Sequence, residues 1–313
     1  MGPDALHLEP VATPGGGAVT GLAVSPAFVR DGTCFAATMA GLFRSEDAGE
    51  RWNGEGPHGA QSLTTLAISP VYGEDGTLLV TDLEARVYRV VGERWALNDL
   101  AGHGVQVTAL AATPEFSTNG TAFAASLSHG IFRTQNHGAH WETCNFGLRG
   151  LEILALGVSP TYERDETIFA VTATGLFRSR NGGCAWREST PLGDGAPVLC
   201  LALSPNFEVD GILFAGTDGA GLFRSADRGA TWQPYGDLPG DICVNGVACS
   251  LDRSAVALTG SAVYMSYSVG EHWSLGAEVP GQLCLALAPA AQDTSLLLVG
   301  TTQGEIYRTR VHR

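Results

Sequence analysis

GLFRSEDAGERW (Gly41–Trp52) comes back along the chain as GIFRTQNHGAHW (Gly130–Trp141), GLFRSRNGGCAW (Gly175–Trp186), GLFRSADRGATW (Gly221–Trp232) and VYMSYSVGEHW (Val263–Trp273). A shorter copy, VYRVVGERW (Val87–Trp95), has lost two residues ahead of its Gly. All six tryptophans end one of these units, at steps of 43, 46, 45, 46 and 41 residues. A period of that size calls for a repeat architecture.

Extended backwards, each unit reads as four short strands. In the first, Thr20–Ser25 is nearly all apolar, Thr33–Thr38 follows the turn SPAFVRDG, Gly41–Ser45 follows a tight bend, and a fourth strand starts at the Trp. Strands of this length, punctuated by Gly, Pro, Asp and Asn, mark an all-β chain. No stretch carries a 3.6-residue apolar period long enough for a helix. One four-stranded sheet cannot bury both its faces, whereas a closed ring of such sheets can.

The units give blades at about 19–61, 62–104, 105–150, 151–195, 196–241, 242–281 and 282–313. The last stops where its Trp strand should follow, while Leu6–Val11 precedes the first unit with no repeat of its own. In later blades the Trp lies 12–15 residues ahead of the equivalent of Leu22, and counting back 14 gives Leu8. The expectation is a single seven-bladed β-propeller, residues 1–313, with the segment 5–12 completing blade seven.

Ser45, Asp47 and Gly49 have the marks of a folded loop between strands three and four. The side-chain oxygens accept nearby N–H groups, Gly takes positive φ, and Trp52 packs on the neighbouring blade. The same set recurs as Thr134, Asn136, Gly138, Trp141; Ser179, Asn181, Gly183, Trp186; Ser225, Asp227, Gly229, Trp232; and Gly270, Trp273. These units resemble the Asp-box (BNR) repeats of sialidases, xyloglucanase-type glycoside hydrolases, sortilin-like receptors and photosystem II assembly factors. The resemblance covers the whole chain and implies the propeller fold. In those families the box lies away from the active face, which implies a structural role for it here. An Arg recurs beside it (Arg44, Arg89, Arg133, Arg178, Arg224, Arg308) and is expected to pair with a nearby acidic side chain.

Composition narrows the partner. The chain has 32 acidic residues against 18 basic ones, a net charge of −14, and no Lys. Such a field repels nucleic acid and anionic lipid. No window approaches the ~18–20 apolar residues of a membrane span. MGPDALHLEP has neither a basic n-region nor an apolar h-region, so a cytoplasmic location is expected. The seven cysteines contain no CxxC and read as free buried thiols, and the eight histidines show no metal-ligand spacing, so no metal or other cofactor is expected.

The resemblance places ligands on the face carrying the turns between strands two and three and the links between blades. Residues there that break the repeat are Asp82, Glu84, His103, His129, Arg149, Asp194 and Asp218, with His58, Asp99 and Glu305 beside them. A sialidase needs three arginines on this face, and only Arg149 and Arg187 fall in its loops. A two-carboxylate glycosidase needs acids ~5–9.5 Å apart, and Asp82, Glu84, Asp194 and Asp218 are available in kind. Xyloglucanase-type enzymes, however, place their acids between two propellers. The favoured reading is a non-enzymatic binding module or scaffold for a protein or peptide; the alternative is a glycoside hydrolase-like protein with a carbohydrate partner.

Overall fold

The computed structural model describes residues 8–11, 17–56, 62–100, 105–192, 195–239, 241–250, 254–267, 270–287 and 294–312. They form seven four-stranded antiparallel sheets, the expected seven-bladed β-propeller. Blade 1 runs outward through Val19–Val24, Cys34–Thr38, Gly41–Ser45 and Asn53–Glu55. Its innermost strand touches Leu63–Ile68 of blade 2 on one side and Gln282–Leu287 of blade 7 on the other. In all seven blades the pairing of the two inner strands slips at one place, between Val19 and Gly21 in blade 1 and between Leu63 and Thr65 in blade 2. Such a bulge adds right-handed twist.

The second strands are buried on both sides, and their sequences show why. CFAAT, TAFAAS, IFAVT and LFAGT set one large ring among small residues, and Phe35, Phe123, Phe169 and Phe214 are fully buried. Three of these rings meet an aromatic of the following blade edge-on: Phe35 with Tyr72 at 5.3 Å, Phe123 with Tyr162 at 5.9 Å and Phe169 with Phe207 at 6.1 Å. Each buried ring contributes about 1.5–3 kcal/mol, and each edge-to-face pair roughly 0.5–1.5 kcal/mol more.

Where the sequence reads as a plain turn, the described residues carry one turn of α-helix in five blades: Phe28–Asp31, Tyr72–Asp75, Phe116–Asn119, Tyr162–Asp165 and Phe207–Asp210. Four residues are too few to show a 3.6-residue period. The turn is held by side chains: the Ser25 hydroxyl donates to Asp31 Oδ2 (2.7 Å), and Asp31 Oδ1 accepts the Thr33 N–H (2.9 Å).

The Ser-x-Asp-x-Gly loop closes against this turn. Ser45 Oγ accepts the Gly49 N–H (2.8 Å), and Asp47 Oδ1 accepts both the Ser45 hydroxyl (2.9 Å) and the Arg51 N–H (2.8 Å). Asn136 and Asn181 accept the matching N–H groups of His140 (2.8 Å) and Ala185 (2.9 Å). Ala48 and Gly49 both have positive φ (61° and 82°), and the Ala48 N–H donates to Gly32 O (3.0 Å). Gly229 shows why Gly ends the pair: a Cβ there would meet Phe169 Cε1 of blade 4 at 2.7 Å.

The expected carboxylate partner is there for Arg308, whose Nη2 meets Glu50 Oε1 at 2.9 Å, and three of the recurring arginines also reach a backbone carbonyl. Arg133 Nη1 donates to Gly182 O (3.0 Å), Arg178 Nη1 to Arg228 O (2.5 Å) and Arg308 Nη1 to Ala48 O (3.2 Å). Each acceptor is the residue before the loop Gly of the following blade, so the guanidinium ties one blade to the next. Arg44 faces blade 2, whose loop keeps only Gly92 and Trp95, and it turns instead to Glu46 (2.7 Å) and Glu55 (3.4 Å). Two tryptophans cross the same kind of seam. Trp186 Nε1 donates to Cys144 O of blade 3 (2.7 Å) and Trp232 Nε1 to Ser189 Oγ of blade 4 (3.2 Å).

Blade 7 is completed from the other end of the chain. Glu9–Val11 pairs with its third strand, Glu9 opposite Arg308, Pro10 opposite Tyr307 and Val11 opposite Ile306. Pro10 is tolerated because an outermost strand has a free N–H side. The strand is shorter than the sequence suggests, and 1–7 lie outside the described residues.

Deleting residues 1–11 removes the packing of Leu8 and Val11. It should lower unfolding stability by about 3 kcal/mol or more and speed amide exchange at Ile306–Arg308; an unchanged denaturation midpoint would refute closure by this strand. A second prediction concerns acid. Partial burial pushes the Asp227 carboxyl up, but bonds from the Thr231 hydroxyl and N–H, Ser225 and the Ala230 N–H outweigh it and hold the group at about 2, below the usual 3.8. Its contribution is therefore complete above about pH 4 and is lost as pH falls towards 2. Asp227→Asn, imitating Asn136 and Asn181, should be somewhat less stable than the parent at pH 7 and lose less in melting temperature over that window, so that the two converge towards pH 2.

Candidate functional site

The ring face opposite the helical turns is built on one register. The residue closing each second strand is Thr38, Asp82, Ser126, Thr172, Thr217, Thr259 or Thr301, opposite the start of the innermost strand. Its hydroxyl holds the turn that follows: Thr38 Oγ1 donates to Gly41 O (3.0 Å), Ser126 to Gly130 O (3.1 Å), Thr172 to Gly175 O (2.9 Å), Thr217 to Gly221 O (2.8 Å) and Thr259 to Ala262 O (3.1 Å).

In blade 2 a carboxylate does this work. Asp82 Oδ1 accepts the N–H groups of Glu84 (2.9 Å) and Arg86 (3.1 Å), and Oδ2 accepts Arg86 Nε (2.6 Å) and the Tyr88 hydroxyl (2.9 Å). It is 1% exposed, with all its acceptor capacity engaged inside the turn. Burial and the bond to Asp82 push the Tyr88 hydroxyl up to about 12. Asp82 thus replaces the repeat's hydroxyl and is not presented to a ligand.

The other candidates stand apart. Glu84 is exposed and pairs with Arg86 Nη1 (3.2 Å). His129 is exposed, with Nδ1 2.8 Å from Ser128 Oγ. Arg149 crosses from the blade 3–4 link to Glu188 of blade 4 (2.8 Å). Asp218, on blade 5, accepts the Cys243 thiol (2.8 Å), and that bond holds the thiol above its ordinary range. Glu305 accepts the Tyr307 hydroxyl (3.0 Å). His58, His103, Asp194 and the side chain of Asp99 lie outside the described residues. Asp82 and Asp218 are three blades apart round the ring, and Glu84 shares a turn with Asp82. Among the described residues no three His, Cys, Asp or Glu are grouped to hold a metal ion.

One feature was not picked out from sequence. The residue after each turn-holding side chain anchors its N–H on the carbonyl ahead of the innermost strand: Met39 on Ala18 (3.2 Å), Leu83 on Ser62 (3.1 Å), Leu127 on Gln106 (3.0 Å), Ala173 on Glu152 (3.2 Å), Asp218 on Pro197 (2.9 Å) and Thr302 on Gly281 (2.8 Å). The backbone is fixed alike in six blades while the side chain varies. It is apolar on blades 1 to 4, and Met39 and Leu83 are 37% and 47% exposed, with Leu151 nearby on the blade 3–4 link at 43%. It is Asp218, Gly260 and Thr302 on blades 5 to 7. Aligning the seven repeats at Thr38 would have shown the split.

No family model matches the chain, and no curated protein matches it in sequence. Solved structures do match. The GH74 xyloglucanase from Xanthomonas campestris superposes with a TM-score of 0.72 at 19% identity, over 96% of this chain and 53% of that one. YCF48 bound to D1 peptide gives 0.73 at 15%, over 99% of both chains. The extracellular domain of the putative one component system BT4673 from B. thetaiotaomicron gives 0.73 at 13%, over 97% of this chain and 40% of that one. The chain thus spans about half of the xyloglucanase and nearly all of YCF48, and at such identities the likeness is one of fold.

Asp82→Ala should cost about 3 kcal/mol in chemical unfolding, because it strands Arg86, the Tyr88 hydroxyl and two N–H groups. Asp82→Thr, restoring the hydroxyl of the other blades, should recover most of the loss. A midpoint unmoved by Asp82→Ala would return this residue to the pool of exposed functional acids.

Proposed function

We propose that the chain is a non-enzymatic binding module that docks a protein or peptide on the face bearing Met39, Leu83 and Leu151. The observation that carries this reading is the rim position, apolar over four consecutive blades and Asp218, Gly260 or Thr302 over the other three. Exposed apolar side chains on a rigid frame supply the anchors from which interfaces draw most of their affinity. Two arginines of this face are occupied, Arg86 by Asp82 and Glu84 and Arg149 by Glu188. Glu152 and Asp218 remain exposed there. The partner segment is therefore apolar with basic residues beside it.

YCF48, of the same fold over its whole length, is a propeller seen with a peptide, which supports the reading by analogy of fold. The glycosidase alternative draws on the xyloglucanase likeness, but Asp82 is buried and engaged inside its own turn, three blades from Asp218. Asp-box identity for the Ser-x-Asp-x-Gly loops belongs to the same proposal, supported by their recurrence with Asn in place of Asp. So does work in a reducing compartment. All seven cysteines are free, and burial pushes Cys34, Cys144, Cys200, Cys249 and Cys284 up to about 12, which leaves them inert.

The double variant Met39→Asp, Leu83→Asp should keep the parent's melting temperature, since both side chains are exposed. It should weaken binding of a partner recovered from the native host by about thirtyfold or more. Undiminished binding would refute the docking face, and release of reducing sugar from a β-glucan by the parent would favour the alternative.

A further inference from the structure

On the opposite face, helical turns of neighbouring blades meet along the seams, and in blades 2, 4 and 5 the residue after the turn's aromatic faces the preceding blade. In blade 4 this is Glu163, whose Oε1 accepts the Glu115 N–H (3.2 Å) and Asn119 Nδ2 (3.3 Å) of blade 3. In blade 5 it is Glu208, whose Oε1 accepts Arg164 Nη1 of blade 4 at 2.7 Å. Blade 2 has Gly73 at this position. A Cβ on Gly73 would lie 3.1 Å from Ala27 Cβ and 3.5 Å from Arg30 Nη2. Arg30 holds in blade 1 the place of Arg164 in blade 4, so Gly73 opposes Arg30 as Glu208 opposes Arg164, without the carboxylate. Among the described residues the Arg30 guanidinium has no hydrogen bond or ion pair, the residue's backbone N–H being held by Ala27 O (2.7 Å). At the blade 2–3 seam the same two places are Glu74 and Ser117, and no cation is left over.

The missing arm leaves a cleft of about 250 Å³ between blades 1 and 2. Pro26 and Val29 form one wall with Arg30, and Pro70 and Val71 form the other with Glu74. Val29 is 57% exposed, an apolar side chain beside an unpaired guanidinium. We propose that this cleft binds a peptide carboxylate adjoining an apolar side chain, with Arg30 as the ion-pair partner and Val29, Pro70 and Val71 as the apolar contacts. The minimal ligand is the C-terminal residue of a peptide ending in an aliphatic side chain. Its carboxylate takes the place that Glu208 fills from within the chain at the blade 4–5 seam. The site lies on the face away from Met39 and Leu83 and stands or falls independently of the docking face there. Glu74 opposes the ligand's charge and sets the sign of one arm of the test.

The probes are N-acetyl-leucine and its uncharged counterpart N-acetyl-leucinamide, titrated into the isotope-labelled full chain and followed by amide chemical shifts. N-acetyl-leucine should shift Val29, Arg30, Val71, Gly73 and Glu74 with an affinity in the millimolar range. The amide should bind about fivefold more weakly, the size of one exposed ion pair. Arg30→Gln should reduce N-acetyl-leucine to the affinity of the amide with no change in melting temperature. Glu74→Gln should strengthen it, and Gly73→Glu, which supplies the missing arm, should block it. Equal affinity of the two probes, indifference to Arg30→Gln, or shifts centred elsewhere would overturn the proposal. Shifts at these amides that follow protein concentration without probe would give the cleft to a second copy of the chain and overturn it equally.

Discussion

Every sheet in this molecule is apolar on both faces, so none is stable without a neighbour on each side. The seam between blades is therefore the constraint that the rest obeys. At three seams it is filled by the single large ring of the second strand and the aromatic of the next blade's helical turn, as with Phe35 and Tyr72. It is fastened on its outer side by arginines that reach the next blade's loop carbonyl, as Arg308 reaches Ala48 across the join between last and first blades. A donor that is always charged, bonded to a backbone carbonyl, does not depend on which side chain the neighbour carries. The loop sequence can then drift between Asp and Asn, or between Ala, Gly and Arg at the accepting residue, without loss of the tie.

The same logic separates the two faces. On one, the helical turn and the Ser-x-Asp-x-Gly loop bond to each other within a blade, as Ala48 does to Gly32, and their polar groups are largely engaged. On the other, short turns held by one hydroxyl each leave a ring of side chains projecting from a backbone that hardly varies. Such an arrangement displays different chemistries round a rim at little cost to stability. Blade 2 departs on both faces at once: its loop is reduced to Gly92 and Trp95, its turn is held by Asp82, and Gly73 leaves its seam with blade 1 open.

The ring and its closure were legible in the sequence because tryptophan spacing and a missing fourth strand are properties of residue type and count. The helical turns were not, since Phe28–Asp31 is shorter than the period that would reveal it. Recurrence of the arginines was visible, but the carbonyl acceptor of three of them was not, because a backbone carbonyl leaves no trace in residue type. Asp82 looked like a departure from the repeat. Register shows it doing the work of Thr38, which needs the strand pairing to see. Met39 and Leu83 escaped notice because a single apolar residue in a turn carries no periodicity, and only comparison of seven equivalent positions gives it meaning.

Closing the last sheet with Glu9–Val11 has a consequence for the time course of folding. The contacts that join the ends span some 260 positions, as between Arg308 and Ala48. Middle blades can form from neighbours as they emerge from the ribosome, but the flanks of the first and last stay uncovered until nearly the whole chain exists. Contacts of such long sequence separation form slowly, and exposed strand edges are sticky while they wait. During synthesis, then, the flank of the first blade is the surface that a chaperone would have to shield longest.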